Sequence, residues 1–247
     1  MIKKIRAIFN NEQGSIMLFV LGMLGIMGIL FVLVLNMGMA LAVKEKSATT
    51  AQQASMAASS VVYEEVQEII FGFDYEEALP DEETSEESSE EPADNPSEAE
   101  DEEELPFENL EEKLEEAVDE LSGRSQYSDW SENERELQAL DTYLTDVLFP
   151  IPIIGDALKL ELRNARIEDE AIDMARSTIQ QNGGVLENAE LWIEGNRIHV
   201  RAANEMEGIS YDGYMEGIEE NIYQESAGPE IDFLGDIWNE SSTILLD

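Results

Sequence analysis

Apolar residues fill nearly every position from Ser15 to Val43, SIMLFVLGMLGIMGILFVLVLNMGMALAV, and no charge interrupts them. At about 1.5 Å of rise per helical residue the run is on the order of 43 Å long, against a hydrocarbon core of about 30 Å. Inside lipid each backbone amide must be satisfied within its own segment, so the pattern predicts one transmembrane helix over residues 15–43. Beyond it, small or apolar residues recur near helical period at Ala48, Ala51, Ala54, Ala58, Val61, Val62, Val66, Ile69 and Ile70, with no Pro or Gly before Gly72. The helix is therefore expected to continue outward over residues 44–72, as a rod from about Gly14 to Ile70 on the order of 85 Å long.

The later pattern is that of a small folded unit. Leu110, Leu114, Ala117, Val118 and Leu121 make one face of an amphipathic helix over FENLEEKLEEAVDELS, with Gly123 as its stop. A second helix is expected after Asn133 as cap, striped by Leu137, Leu140, Leu144, Val147 and Leu148, and ended by Pro150 and Pro152, whose apolar connection should dock on the core. A third is expected from Asp156 to Gln181, with Gly183-Gly184 as its break. The period then changes to two: Ala189–Glu194 and Arg197–Ala202 alternate about Gly195-Asn196, which suits a tight hairpin with Leu191, Ile193, Ile198 and Val200 on one face and Trp192 and His199 on the other. Tyr214–Tyr223 reads as a short helix. The fold class is α+β, mainly helical, divided into a basic tail 1–14, a transmembrane helix 15–43, its continuation 44–72, an acidic linker 73–106 and an α+β domain 107–247.

Charge adds orientation. Lys3, Lys4 and Arg6 precede the apolar run with only Glu12 against them, which favours a cytoplasmic N-terminus and an extracytoplasmic domain in a single-pass cell-membrane protein. Lys44 and Lys46 oppose this more weakly. Ala40-Leu41-Ala42 also has the small-x-small pattern read by signal peptidase, but the apolar core before it is about twice the 7 to 15 residues of a removable signal.

The chain has 56 acidic against 14 basic residues, a net charge of -42, which excludes electrostatic attraction to nucleic acid or to anionic lipid. From Ser47 to Glu112 there is no Lys or Arg, and Glu76–Glu104, EEALPDEETSEESSEEPADNPSEAEDEEE, has too few apolar residues to offset the entropy of ordering it, so the linker is expected to be a disordered spacer. Cysteine is absent, so neither a disulfide nor thiolate chemistry is available. No catalytic residue, metal site or cofactor is assigned: phosphate-loop, nucleophile-elbow and zinc spacings are missing, carboxylate pairs arise by chance among so many acids, and the lone His199 reads as a half-exposed strand residue.

The membrane helix carries a packing pattern. Gly22, Gly25 and Gly28 repeat every three positions and Gly38 with Ala42 makes a small-xxx-small pair; such residues let two helices approach closely. The Ala48–Ala58 stripe extends the theme, and lateral packing against another copy or a partner membrane protein is the expected use.

Gln13-Gly14-Ser15 opening the helix, Asn36-x-Gly38 near its outer end, then Lys44, Lys46 and Gln52-Gln53-Ala54-Ser55-Met56-Ala57-Ala58 together resemble the N-terminal region of TadE/TadG-like proteins of the tight-adherence (Flp) pilus assembly system, over about residues 12–62. Asn36 stands where the family often has Asp. Pilin-like members are processed after a Gly that is followed, five positions on, by Glu; after Gly14 that position is Phe19, so the likeness is nearer to the unprocessed, TadG-like anchors. The resemblance implies a non-enzymatic, membrane-anchored structural or assembly component, with other pilus or secretion-platform proteins as partners and a homo-oligomer through the N-terminal helix as a further possibility. The alternative from another class is a signal-anchored extracellular binding or sensory module using the hairpin and aromatic tail.

Overall fold

The computed structural model describes residues 12–75, 78, 107–208, 219–238 and 243–247, with side chains described from Ile16 onward except Glu219. One helix, α1, runs unbroken from Glu12 to Gly72, 61 residues, which is about 90 Å of rod. Its inner half meets the demand of the apolar run; its outer half is held by what folds around it. The remaining elements are α2 (Leu110–Ser122), α3 (Glu132–Tyr143) continuing into a π-helical turn at Leu144–Leu148, α4 (Ile154–Asn164), α5 (Ile167–Gln181), β1 (Val185–Glu194), β2 (Arg197–Glu207), β3 (Glu219–Glu230), α6 (Leu234–Ile237) and β4 (Ile244–Leu245). Among the described residues the chain is mainly helical with one small antiparallel sheet, as the periodicities predict.

The sheet has the order β3-β2-β1-β4, antiparallel throughout. β1 and β2 pair as Leu191↔Val200, Trp192↔His199, Ile193↔Ile198 and Glu194↔Arg197. Gly195 and Asn196 between them both have φ of 57°, the double left-handed geometry of the two-residue turn whose twist matches the strands. Leu191, Ile193, Ile198, Val200 and Ala202 are buried, and Trp192 stacks on His199 on the opposite face.

α1 is the spine of this unit. The sheet lies across its outer half through β2 and β3, and α5 runs down beside it. Glu170 near the start of α5 lies beside Glu65, whereas Gly183 past its end lies against Lys46, so α5 runs back toward the apolar half of α1. At the distal end α2, α3, α4 and α6 close a helical cap: Val66, Ile70, Leu144, Leu148, Leu158, Phe233 and Leu234 share one core with Ala51, Ala54, Ala58 and Val62.

Three expectations are corrected. The cap of α3 is Ser131, not Asn133: Ser131 Oγ accepts from the Glu134 N–H while Glu134 Oε2 accepts from the Ser131 N–H at 2.7 Å, the reciprocal capping box. The helix expected over Asp156–Gln181 is two helices, broken at Ala165 and Arg166, with Arg166 at φ 60°. Leu158 and Leu162 are spaced by four, but the next inward residue is Ile167, after which Ala171, Ala175 and Ile179 resume the spacing. The break resets the phase so both stripes face the core. In the tail, Glu219–Tyr223 is strand, not helix, because it fills the open edge of β2 with Ala203↔Tyr223 in register; the rest of the expected Tyr214–Tyr223 helix lies outside the described residues. The proline connection docks on the core as expected, with Phe149 and Ile154 buried and Ile151 packed against the core, while Ile153, at φ 71°, stays half exposed.

Candidate membrane and assembly surface

Along the inner half of α1 the side chains from Ile16 to Leu41 face outward, and an 18-residue stretch reaches mean hydropathy 2.9 with none of it buried. It is the only helix among the described residues long and apolar enough to cross a membrane. A Cβ added to Gly22, Gly25, Gly28 or Gly38 would meet nothing within 4 Å, and Ala42 is exposed, so the chain itself covers none of these positions. They do not form a single stripe. At about 100° per residue, Gly22 and Gly25 fall on the side of α1 that the domain later occupies, and Gly38 and Ala42 on the opposite side. The orientation residues Lys3, Lys4 and Arg6 lie outside the described residues.

Where α1 enters the domain, a buried polar cluster joins helix to sheet. Asn204 on β2 accepts the Thr50 hydroxyl at Oδ1 (2.9 Å) and donates through Nδ2 to the carbonyls of Gly183 (2.7 Å) and Asn182 (3.3 Å). Its backbone N–H donates to Ser47 Oγ at 3.0 Å, and that hydroxyl donates in turn to the Val43 carbonyl at 2.9 Å. Ser47, Thr50 and Asn204 are all at most 1 % exposed, a depth at which neutral polar groups are tolerated only when paired. The sequence reading missed this cluster; its only local signal is an uncharged amide at an inward position of a strand.

One turn further out, Ala51, Ala54 and Ala58 are fully buried against the chain's own core. Gly228 on β3 approaches so closely that a Cβ there would lie 2.5 Å from Ser59 Oγ and 3.1 Å from the Ser55 carbonyl. The small residues at Ala51–Ala58 therefore serve contact with the domain, which corrects their assignment to lateral packing.

Near the distal end Tyr63 packs edge-on against Phe233, ring centroids 5.6 Å apart. Asp141, 2 % exposed, accepts backbone N–H bonds from Asp232 (2.9 Å) and Phe233 (3.2 Å), tying α3 to the entry of α6. Burial pushes its carboxyl up to about 6, partly offset by those two donors. Burial, with Asp141 and Asp232 nearby, likewise raises the Tyr63 hydroxyl. Above them Tyr75 stacks flat on Phe107 at 5.1 Å and meets Phe73 edge-on. The two ends of the acidic segment are thus clasped together on the cap; the segment expected to be disordered otherwise lies outside the described residues.

This arrangement holds parts in place. Among the described residues no group of three metal-ligating side chains gathers, and His199 is engaged with Trp192 and the Glu194 carbonyl. What the geometry presents is one helix whose apolar half, long enough to cross a membrane, stands bare and whose outer half is keyed into an acidic domain. No curated protein and no solved structure matches the chain. Residues 14–60, the stretch of α1 that crosses from the apolar run through the polar cluster to the alanines under the sheet, match the model of the Flp pilus-assembly TadE/G-like family, Tad, and in this stretch the chain is similar to that family.

Proposed function

We propose that this protein is a non-enzymatic structural component in the assembly of a Flp-type pilus or a related secretion apparatus, anchored once in the cell membrane with its N-terminus in the cytoplasm and its folded domain outside. The carrying observation is that the family match over residues 14–60 coincides with the one helix that both spans the apolar run and forms the spine of the domain. A helix keyed in this way transmits position from membrane to exterior, which is what a scaffold supplies. Gly22, Gly25, Gly28, Gly38 and Ala42, all open in the single chain, are the positions at which the membrane helix would meet a platform protein or a second copy of the chain.

Deleting the gene should abolish surface pili and adherence, and the intact gene supplied in trans should restore both. Normal piliation in the deletion strain would remove this reading. Orientation is checked separately by protease added outside intact spheroplasts: cleavage of the domain supports the proposed topology, and protection until lysis contradicts it.

A further inference from the structure

The outer half of α1 leaves one face uncovered, and that face differs from every other exposed helix face of comparable length among the described residues of the domain. The exposed positions between Lys46 and Glu64 are Thr49, Gln52, Gln53, Met56 and Ser60, and the whole stretch from Ser47 to Tyr63 contains no charged residue. By contrast, α2 exposes Glu111, Glu112, Glu115 and Glu116, and α5 exposes Glu168, Asp169, Glu170 and Asp173. In a chain of net charge -42, a solvent-facing helix surface about 25 Å long without one carboxylate is an exception to the chain's own pattern. Solubility does not call for it, since charges on an open helix face are what keep it hydrated. The absence of charge is also unrelated to packing within the domain, because that is done by the opposite face, through Ser47, Thr50, Ala51, Ala54 and Ala58.

We infer that this open face of α1 is a self-association surface, occupied by the same face of a second copy of the chain in a parallel pair. Three observations select that occupant. Gln and Ser/Thr side chains both donate and accept hydrogen bonds, so they complement themselves across a two-fold axis, whereas a face carrying one sign of charge cannot. Spacing of four, seven, four, three and four carries the face from Gly38 through Ala42, Thr49, Gln53 and Met56 to Ser60, so the small pair in the membrane helix is in phase with it and allows a second helix to approach closely. Finally, the domain wraps the far side of α1, so two helices joined through this face carry their acidic domains on opposite outer sides, where mutual repulsion is least. The pairing narrows the helix-packing part of the proposed assembly role to one face and one occupant.

The chain has no cysteine, so single-cysteine variants of the full-length protein report the face directly in native membranes. Thr49→Cys, Gln52→Cys and Met56→Cys should give, on mild oxidation, a species of twice the 27.7 kDa chain mass, because a disulfide forms only when the two Cα atoms come within about 7 Å. Glu112→Cys and Asp173→Cys, equally exposed but on the domain, should remain monomeric. Adding Gln53→Glu to Met56→Cys should cut the cross-link by about tenfold or more, since like charges set against each other oppose an interface; unchanged far-UV circular dichroism shows that the fold is kept. No doubled species, equal cross-linking at the domain positions, or a product whose mass shows a different protein would each overturn the inference. The readout makes no reference to pili, so failure here and failure of the pilus role are separate results.

Discussion

Replacing Asn204 with Ala tests whether the membrane helix is keyed into the domain by the buried polar cluster. The substitution deletes one acceptor and two donor contacts: Thr50 Oγ1 at 2.9 Å, the Gly183 carbonyl at 2.7 Å and the Asn182 carbonyl at 3.3 Å. At about 1 kcal/mol net for each neutral hydrogen bond the loss is about 3 kcal/mol. Two routes reduce it: Gly183 and Asn182 are near enough to solvent for water to replace the amide, and the freed Thr50 hydroxyl is able to turn to the carbonyl one helical turn back. The expected cost is about 2 kcal/mol, which for a folded unit of this size lowers Tm by about 4–8 °C. Thermal unfolding of the detergent-solubilised full chain, followed by circular dichroism at a wavelength sensitive to the sheet, measures it. Thr50→Val in the same cycle supplies the coupling: the two changes together should cost about 1 kcal/mol less than their sum, because both remove the one Thr50–Asn204 bond. A Tm change below about 1 °C for Asn204→Ala, or strict additivity with Thr50→Val, would refute the claim that this cluster holds helix and sheet together.

Gly228→Val should destabilise the domain by about 1–3 kcal/mol in the same assay, since its Cβ would meet Ser59 Oγ at 2.5 Å with backbone behind it, whereas substituting Gly195 by Asn, in open space at a left-handed position, should cost little. Ser131→Ala should lower Tm by about 2–4 °C through loss of the capping box and Asn133→Ala should not, which separates the two candidate caps of α3. Because burial raises the Asp141 carboxyl from 3.8 to about 6, the folded state holds its proton more tightly than the unfolded chain, and stability attributable to this group is full below pH 4 and lost as pH rises through 6. Denaturation of the wild type and of Asp141→Asn from pH 4 to 7 should therefore show wild-type stability falling relative to the variant as pH rises; a constant gap between them would contradict the assignment.

Much of the molecule is legible without coordinates because its signals are local. The length of the apolar run and the need to pair every amide inside lipid make α1 a helix, and the lack of any breaker before Gly72 carries it outward. Period two around Gly195-Asn196 gives the hairpin and its register, since a two-residue loop fixes which residues of the two strands face each other; that the turn is the double left-handed one is seen in the structure. The five-residue step from Leu162 to Ile167 was also in the sequence, as a phase slip that a single helix cannot satisfy. Only the tertiary structure decided what each face meets. An alanine stripe reads the same whether it packs on another chain or on its own sheet, and Thr50 finds Asn204 across 154 residues, a pairing no window of periodicity contains. β3 is a strand because β2 offers it an unpaired edge, and the outer half of α1 belongs to the folded unit because the sheet and α5 close over it. Local period determines which elements form; the burial of one against another, which sets the working surfaces of this protein, is fixed by contacts distant in the chain.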